Sequence, residues 1–185
     1  MTQQELVGKL SEVFSTHGYN GVTLADLAKA AELNKASLYH FFPEGKEAMA
    51  VATLEMVKHS VQENIVNVLA GDDSIKSRLK TALKNLDSFY DGGQKACLLE
   101  LMNSSTTGKA VKRLIAQVFD ILIKGFASFY AEVGFSKADS KVQAENTIIG
   151  IQGALVLSRG LDSKDPFKRQ LKKIEQLALA KINSN

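Results

Sequence analysis

The sequence predicts an all-α protein: an N-terminal three-helix domain with a helix-turn-helix, followed by a larger helical domain. Three observations predict it. Apolar residues recur at three- and four-residue spacing along almost the whole chain, and no stretch alternates for long with a strand's period of two. These runs are punctuated by Gly18, Gly71, Asp91-Gly92-Gly93, Gly134 and Pro166, the residue types that stop or start helices. Residues 23–46, TLADLAKAAELNKASLYHFFPEGK, then spell two short capped helices joined by a tight turn.

Taken in order, Leu6, Val7, Leu10, Val13 and Phe14 form the stripe of a first helix that Gly18 ends. Thr23 stands just before Leu24 and Leu27 with Asp26 three residues on, the arrangement that caps a helix start. Leu24, Leu27, Ala28 and Ala31 lie on one face, and Ala30-Ala31 lets a second helix approach closely. Glu32-Leu33 makes the connection, and Asn34 caps a helix over 35–40 in which only Leu38 is a natural core residue. Lys35, Ala36, Ser37, Tyr39 and His40 remain for its outer face, small or hydrogen-bonding types that suit a helix lying in the major groove of DNA. Pro43 ends this helix and Gly45 permits a turn. Lys46 opens a segment whose first-turn amides and ammonium group suit a phosphate. Thr23, Lys35, Tyr39 and Lys46 are assigned to phosphates, and Lys35, Ala36, Ser37 and His40 to base edges.

A long helix follows over 47–70, with Met49, Ala52, Met56, Val61, Ile65, Val68 and Leu69 near one face. Nothing rich in Gly or Pro interrupts it, so it is expected to carry motion of the C-terminal core rigidly to the reading head. Asp73 or Ser74 caps the next helix, faced by Ile75, Leu79, Ala82, Leu83, Leu86 and Tyr90. A short apolar segment over 97–103 and a polar break over 104–108 precede a helix over 109–133, with Val111, Leu114, Ile115, Val118, Leu122, Phe126 and Phe129 on its face. Two more helices are expected over 138–161 and 167–182. The domains are thus 1–46, reading DNA, and 47–185. Within the helix over 144–159, apolar residues occupy more than one face and Gly150, Gly153, Ala154 and Ser158 keep part of it small. Such a helix is covered either by the rest of the chain or by a second copy, and two half-sites on DNA favour the second. The expected dimer interface is Gly150, Gly153, Ala154 and Leu157, with Leu171 and Ile174 from the last helix.

The block HGYNGVTLADLAKAAELNKASLYHFF resembles the N-terminal domain of the TetR family of transcriptional regulators, over about the first quarter of the chain. Glu32 stands where that family usually has Gly, and Phe41 where many of its members have His. Residues 43–46, with IIGIQGALVLSRGLDSKDPF near the C-terminus, are similar to the LmrA/YxaF-type branch. The resemblance implies a homodimeric repressor that binds double-stranded operator DNA and is released by a small apolar effector in a pocket of the larger domain. Among the aromatic and thioether residues there, Met102, Phe119, Phe126 and Tyr130 are the expected pocket lining, the alternative being that they fill the core.

Bulk properties bound the function further. With 185 residues and 45% hydrophobic content the chain can bury a sizeable core, and its one cysteine excludes an internal disulfide. No basic-apolar leader and no uninterrupted run of eighteen apolar residues is present, so a cytoplasmic protein without a membrane span is expected. Net charge is +3 overall, but residues 1–46 hold four lysines against five acids. Phosphate affinity must therefore come from a few positioned groups. His17, His40 and His59 are scattered, with no metal-ligand spacing, phosphate-cradling Gly loop or nucleophile elbow, so neither catalysis nor a metal or other cofactor is expected. Cys97, near Lys95, reads as a buried small hydrophobe, with a redox sensor as the minor alternative. The acidic head and Phe41 leave a second reading open, a ligand-binding or protein-interaction module whose helix-turn-helix is degenerate.

Overall fold

A computed structural model describes residues 1–184, and among them there are helices and turns but no strands. The helices are α1 (Gln3–His17), α2 (Leu24–Ala30), α3 (Lys35–Phe41), α4 (Lys46–Val61), α5 (Asn67–Leu69), α6 (Ile75–Phe89), α7 (Leu98–Met102), α8 (Lys109–Val133), α9 (Lys137–Gly160) and α10 (Asp165–Ile182). They form two compact units.

The first unit comprises Met1–His59 and Cys97–Gln117. Its core is built from Leu6, Leu10, Phe14, Leu27, Leu38, Met49 and Leu54, all with essentially no exposure. Three short helices bury too little apolar surface to stand alone, and α4 and α7 supply the rest. A Thr2–Glu5 capping box starts α1 and Gly18, at φ 67°, stops it. The amide of Tyr19 then donates to the Leu101 carbonyl at 3.2 Å, tying the α1–α2 turn to α7.

The second unit comprises Ser60–Ala96 and the chain from Val118 onward. Here the expectation of one regular helix over 47–70 is corrected. After Val61 the chain passes through a π turn, Gln62–Val66, before α5 completes the path. Side chains stabilise the irregularity: the Asn64 amide donates to the Ser60 carbonyl at 3.0 Å, and the Asn85 amide donates to the Asn64 carbonyl at 2.8 Å. A π turn has the apolar spacing of a helix with one residue too many, which periodicity alone does not resolve.

Ser74 caps α6, its hydroxyl accepting from the Ser77 amide. Arg78 on this helix is buried among apolar neighbours. Its guanidinium donates to the Leu69 carbonyl at 2.6 Å, closing α5, and grips both carboxylate oxygens of Glu132. Phe126, Phe129, Tyr130 and Phe167 form the aromatic centre, with the Tyr130 hydroxyl 2.8 Å from that of Thr147. Burial pushes the Tyr130 phenol above its ordinary range. By length and mean hydropathy α8 is apolar enough to cross a membrane. Its apolar face, from Val111 through Leu122 to Val133, is instead buried in the fold.

After α6 three residues in succession take positive φ, Asp91, Gly92 and Gly93. At Gly93, with φ 97°, an added Cβ would lie 2.5 Å from the Phe167 Cβ and 3.0 Å from the Ser158 hydroxyl. That hydroxyl already accepts the Phe167 amide at 3.1 Å, so it has no room to retreat. Gly93→Ala is expected to cost about 3 kcal/mol, combining left-handed strain with overpacking. Gly160→Ala, in open space on α9, is the control. Paired thermal unfolding measures the difference.

Candidate nucleic-acid interface

The reading head follows from its caps. The Thr23 hydroxyl accepts the Asp26 amide at 3.2 Å and donates to the Asp26 carboxylate at 2.6 Å, while the Thr23 amide donates back to the same carboxylate. These bonds hold the Asp26 carboxyl below its usual range. They also mean that a phosphate must compete with Asp26 for the Thr23 hydrogen. Asn34 caps α3 by accepting the Ser37 amide at 2.7 Å. Between the helices Glu32 sits at φ 56°, a left-handed turn position that favours glycine, and its carboxylate reaches back to Lys9 at 2.7 Å. The bond to Lys9 lowers the Glu32 pKa.

On α3 only Leu38 is buried, while Lys35, Ala36, Tyr39 and His40 are exposed and Ser37 is half-buried. The outer face is the one read from the sequence. The Tyr39 ring lies 3.6 Å from where a Cβ on Gly45 would stand, so this glycine, at φ 75°, lets the ring rest against the start of α4. There Lys46 donates to the Val22 carbonyl at 2.5 Å, with its ammonium 4.6 Å above the Tyr19 ring. Partial burial lowers its pKa. Two ammonium protons remain. Beside them are the amides of residues 46–48, which precede the first bond of the α4 ladder, Met49 N–H to the Gly45 carbonyl.

The acidic count of the head loses its force in three dimensions. Glu5 and Asp26 each bond the backbone amide of the threonine that begins their helix, and Glu32 is paired with Lys9. Lys29, Lys35 and Lys46 stay outside those pairings.

The other expected site residues are spread through the fold. Met102 is fully buried in the first unit, and the Thr107 hydroxyl donates to its carbonyl at 2.7 Å. Phe126 and Tyr130 are fully buried in the second unit with ring centroids 6.3 Å apart, and Phe119 is half-buried. None of these four lines the two cavities beside the π turn, whose walls include Phe129 in one and Phe89 and Tyr90 in the other. On α9, Gly153 and Leu157 are exposed, but Ala154 is buried and a side chain on Gly150 would run into Gln170. Leu171 and Ile174 are buried within their own unit. Large apolar residues that do face outward are Val142, Ile149, Val156 and Leu161, which with Gly153 and Leu157 make a stripe of near-heptad spacing along α9. Cys97 is buried, as expected of a small hydrophobe.

A three-helix head whose second motif helix is capped, anchored through Leu38 and otherwise turned to solvent defines a helix-turn-helix regulator. Residues 10–53 match the family model of bacterial regulatory proteins, tetR family. The uncharacterized HTH-type transcriptional regulator YxaF of Bacillus subtilis is 26% identical over 176 residues, covering 90% of this chain and 89% of that protein. A TetR transcriptional regulator from Legionella pneumophila superposes with a TM-score of 0.86 at 19% identity, covering 96% and 97% of the two chains. A cysteine mutant of the TetR family regulator CifR, solved with 26-base-pair operator DNA, superposes at 0.76 with 20% identity, covering 97% and 96%. The chain belongs to the TetR family, near the branch that contains YxaF.

Proposed function

We propose that the protein is a cytoplasmic, homodimeric transcriptional repressor in which residues 1–46 read double-stranded operator DNA and residues 47–185 form the dimer and bind a small apolar effector that releases it. One observation carries the reading: α3 commits a single residue, Leu38, to the core and leaves Lys35, Ala36, Tyr39 and His40 in solvent. The operator complex of CifR supports the same use of this fold. For the dimer, the support is the exposed stripe on α9, with Gly153 at its middle open to a close neighbour. Leu171 and Ile174 then act from inside, bracing α10 beneath that face.

A gel shift on the DNA upstream of the protein's own gene, repeated across salt concentrations, tests operator binding. Lys46→Ala is expected to weaken binding to every sequence alike and to lower the salt slope by about 1, since a phosphate contact carries charge but no base information. Ser37→Ala or His40→Ala is expected to cost about 1–3 kcal/mol on the preferred operator and much less on unrelated DNA. Uniform loss in all three variants would overturn this division of roles. The degenerate-motif reading rests on the acid count, which the Glu5, Asp26 and Glu32 pairings answer. Absence of any salt-dependent shift would restore it.

A further inference from the structure

The two cavities beside the π turn differ in chemistry. The larger, about 420 Å³, includes Lys124 and Glu132, which already pair with Asp120 and Arg78. The other, about 320 Å³, lies among Ser60, Asn64, Asn85, Ser88, Phe89 and apolar side chains such as Leu122, and none of its lining residues is charged. Its volume falls at the small end of the range for small-molecule sites. A charged ligand entering such a lining would lose hydration with nothing to replace it.

The amides dictate the complementary chemistry. Asn64 donates to the Ser60 carbonyl and Asn85 to the Asn64 carbonyl. Backbone carbonyls only accept, so the orientation of both side-chain amides is determined. Their Oδ1 atoms are the acceptors left over, unengaged among the described residues. Phe89, an aromatic that is 39% exposed, stands at this cavity with its ring edge-to-face on Tyr90 at 4.9 Å. Such a ring offers a face to a flat molecule. The π turn builds the site, because its extra residue brings Ser60, Asn64 and Ile65 to one wall.

We propose that this cavity is the effector site and that it selects an uncharged, flat aromatic molecule carrying an N–H or O–H donor. The proposal rests on the reading of the chain as an effector-released regulator, and it moves the site from Met102, Phe119, Phe126 and Tyr130 to Asn64, Asn85, Ser88 and Phe89.

Saturation-transfer NMR with three probes of one shape tests it: indole, which donates; indene, which does not; and indole-2-carboxylate, which is charged. Wild-type protein is expected to bind indole at least several-fold more tightly than indene and to ignore the carboxylate. Ser88→Trp, at an exposed position of α6, fills the cavity and is expected to abolish indole binding with the circular dichroism unchanged. Asn64→Leu removes one acceptor and is expected to bring indole down to indene's level. Indole binding that survives Ser88→Trp, equal binding of indole and indene by the wild type, or binding of none of the three overturns the site. The operator gel shift separates this from the broader reading. Protein that shifts DNA but binds no probe loses the site alone, whereas protein that binds indole as expected but never shifts DNA keeps the site and loses the regulator.

Discussion

A chain carrying Ile149→Glu and Val156→Glu is expected to sediment as a monomer and to bind the operator roughly 100-fold or more weakly, the loss that follows when two linked half-sites become independent. Both residues lie in solvent, 67% and 54% exposed, so glutamate costs the isolated fold almost nothing. In a dimer closed over the α9 stripe each carboxylate would be buried without a partner. Gly153→Leu probes the same face by shape rather than charge. No atom of its own chain lies within 4 Å of a Cβ there, so a leucine meets resistance only from a second copy. Sedimentation velocity at micromolar concentration decides. An unchanged dimer in both variants would place the interface elsewhere, and a monomeric wild type would remove it.

Phe126→Ala is expected to lower stability by about 3–5 kcal/mol, the usual cost of emptying a fully buried phenylalanine. The ring has no exposure and packs on Tyr130, whose hydroxyl is held by Thr147. Thermal unfolding with and without a panel of planar apolar compounds distinguishes a core role from a ligand-lining one, because a ligand bound only to the folded state must raise the melting temperature. A small loss of stability accompanied by altered ligand response would return the pocket to Phe126 and Tyr130.

Helices with caps and clear apolar stripes were legible from the sequence. Thr23, Asn34 and Ser74 act locally, within three residues of the amides they satisfy, so their role can be read without knowing the fold. Leu38 and its exposed neighbours on α3 were legible for the same reason. What escaped depends on distant partners. Arg78 sits one residue before Leu79 on a buried face and would be placed in solvent by its charge, yet Leu69 and Glu132 draw it inside. The π turn escaped because it preserves apolar spacing. Along α9, Ile148 and Ile151 are buried while Ile149 is not, a difference set by where α10 lies and not by composition. The pocket aromatics could not be told from core aromatics, since both demand the same residue types.

The Lys9–Glu32 bridge bears on how the protein's affinity for DNA is to be counted. It is exposed, so its contribution, at most about 1 kcal/mol, is screened by added salt. Yet it restrains the one backbone position of the helix-turn-helix that is held in a left-handed conformation without glycine. Raising ionic strength therefore acts twice, releasing phosphates from the surface and loosening the angle between α2 and α3. A plot of the logarithm of affinity against the logarithm of salt concentration will be steeper than the number of lysine–phosphate contacts warrants. The excess belongs to the internal geometry of the turn, and Glu32→Gly, which needs no bridge to hold that angle, returns the slope to the true count of counterions displaced.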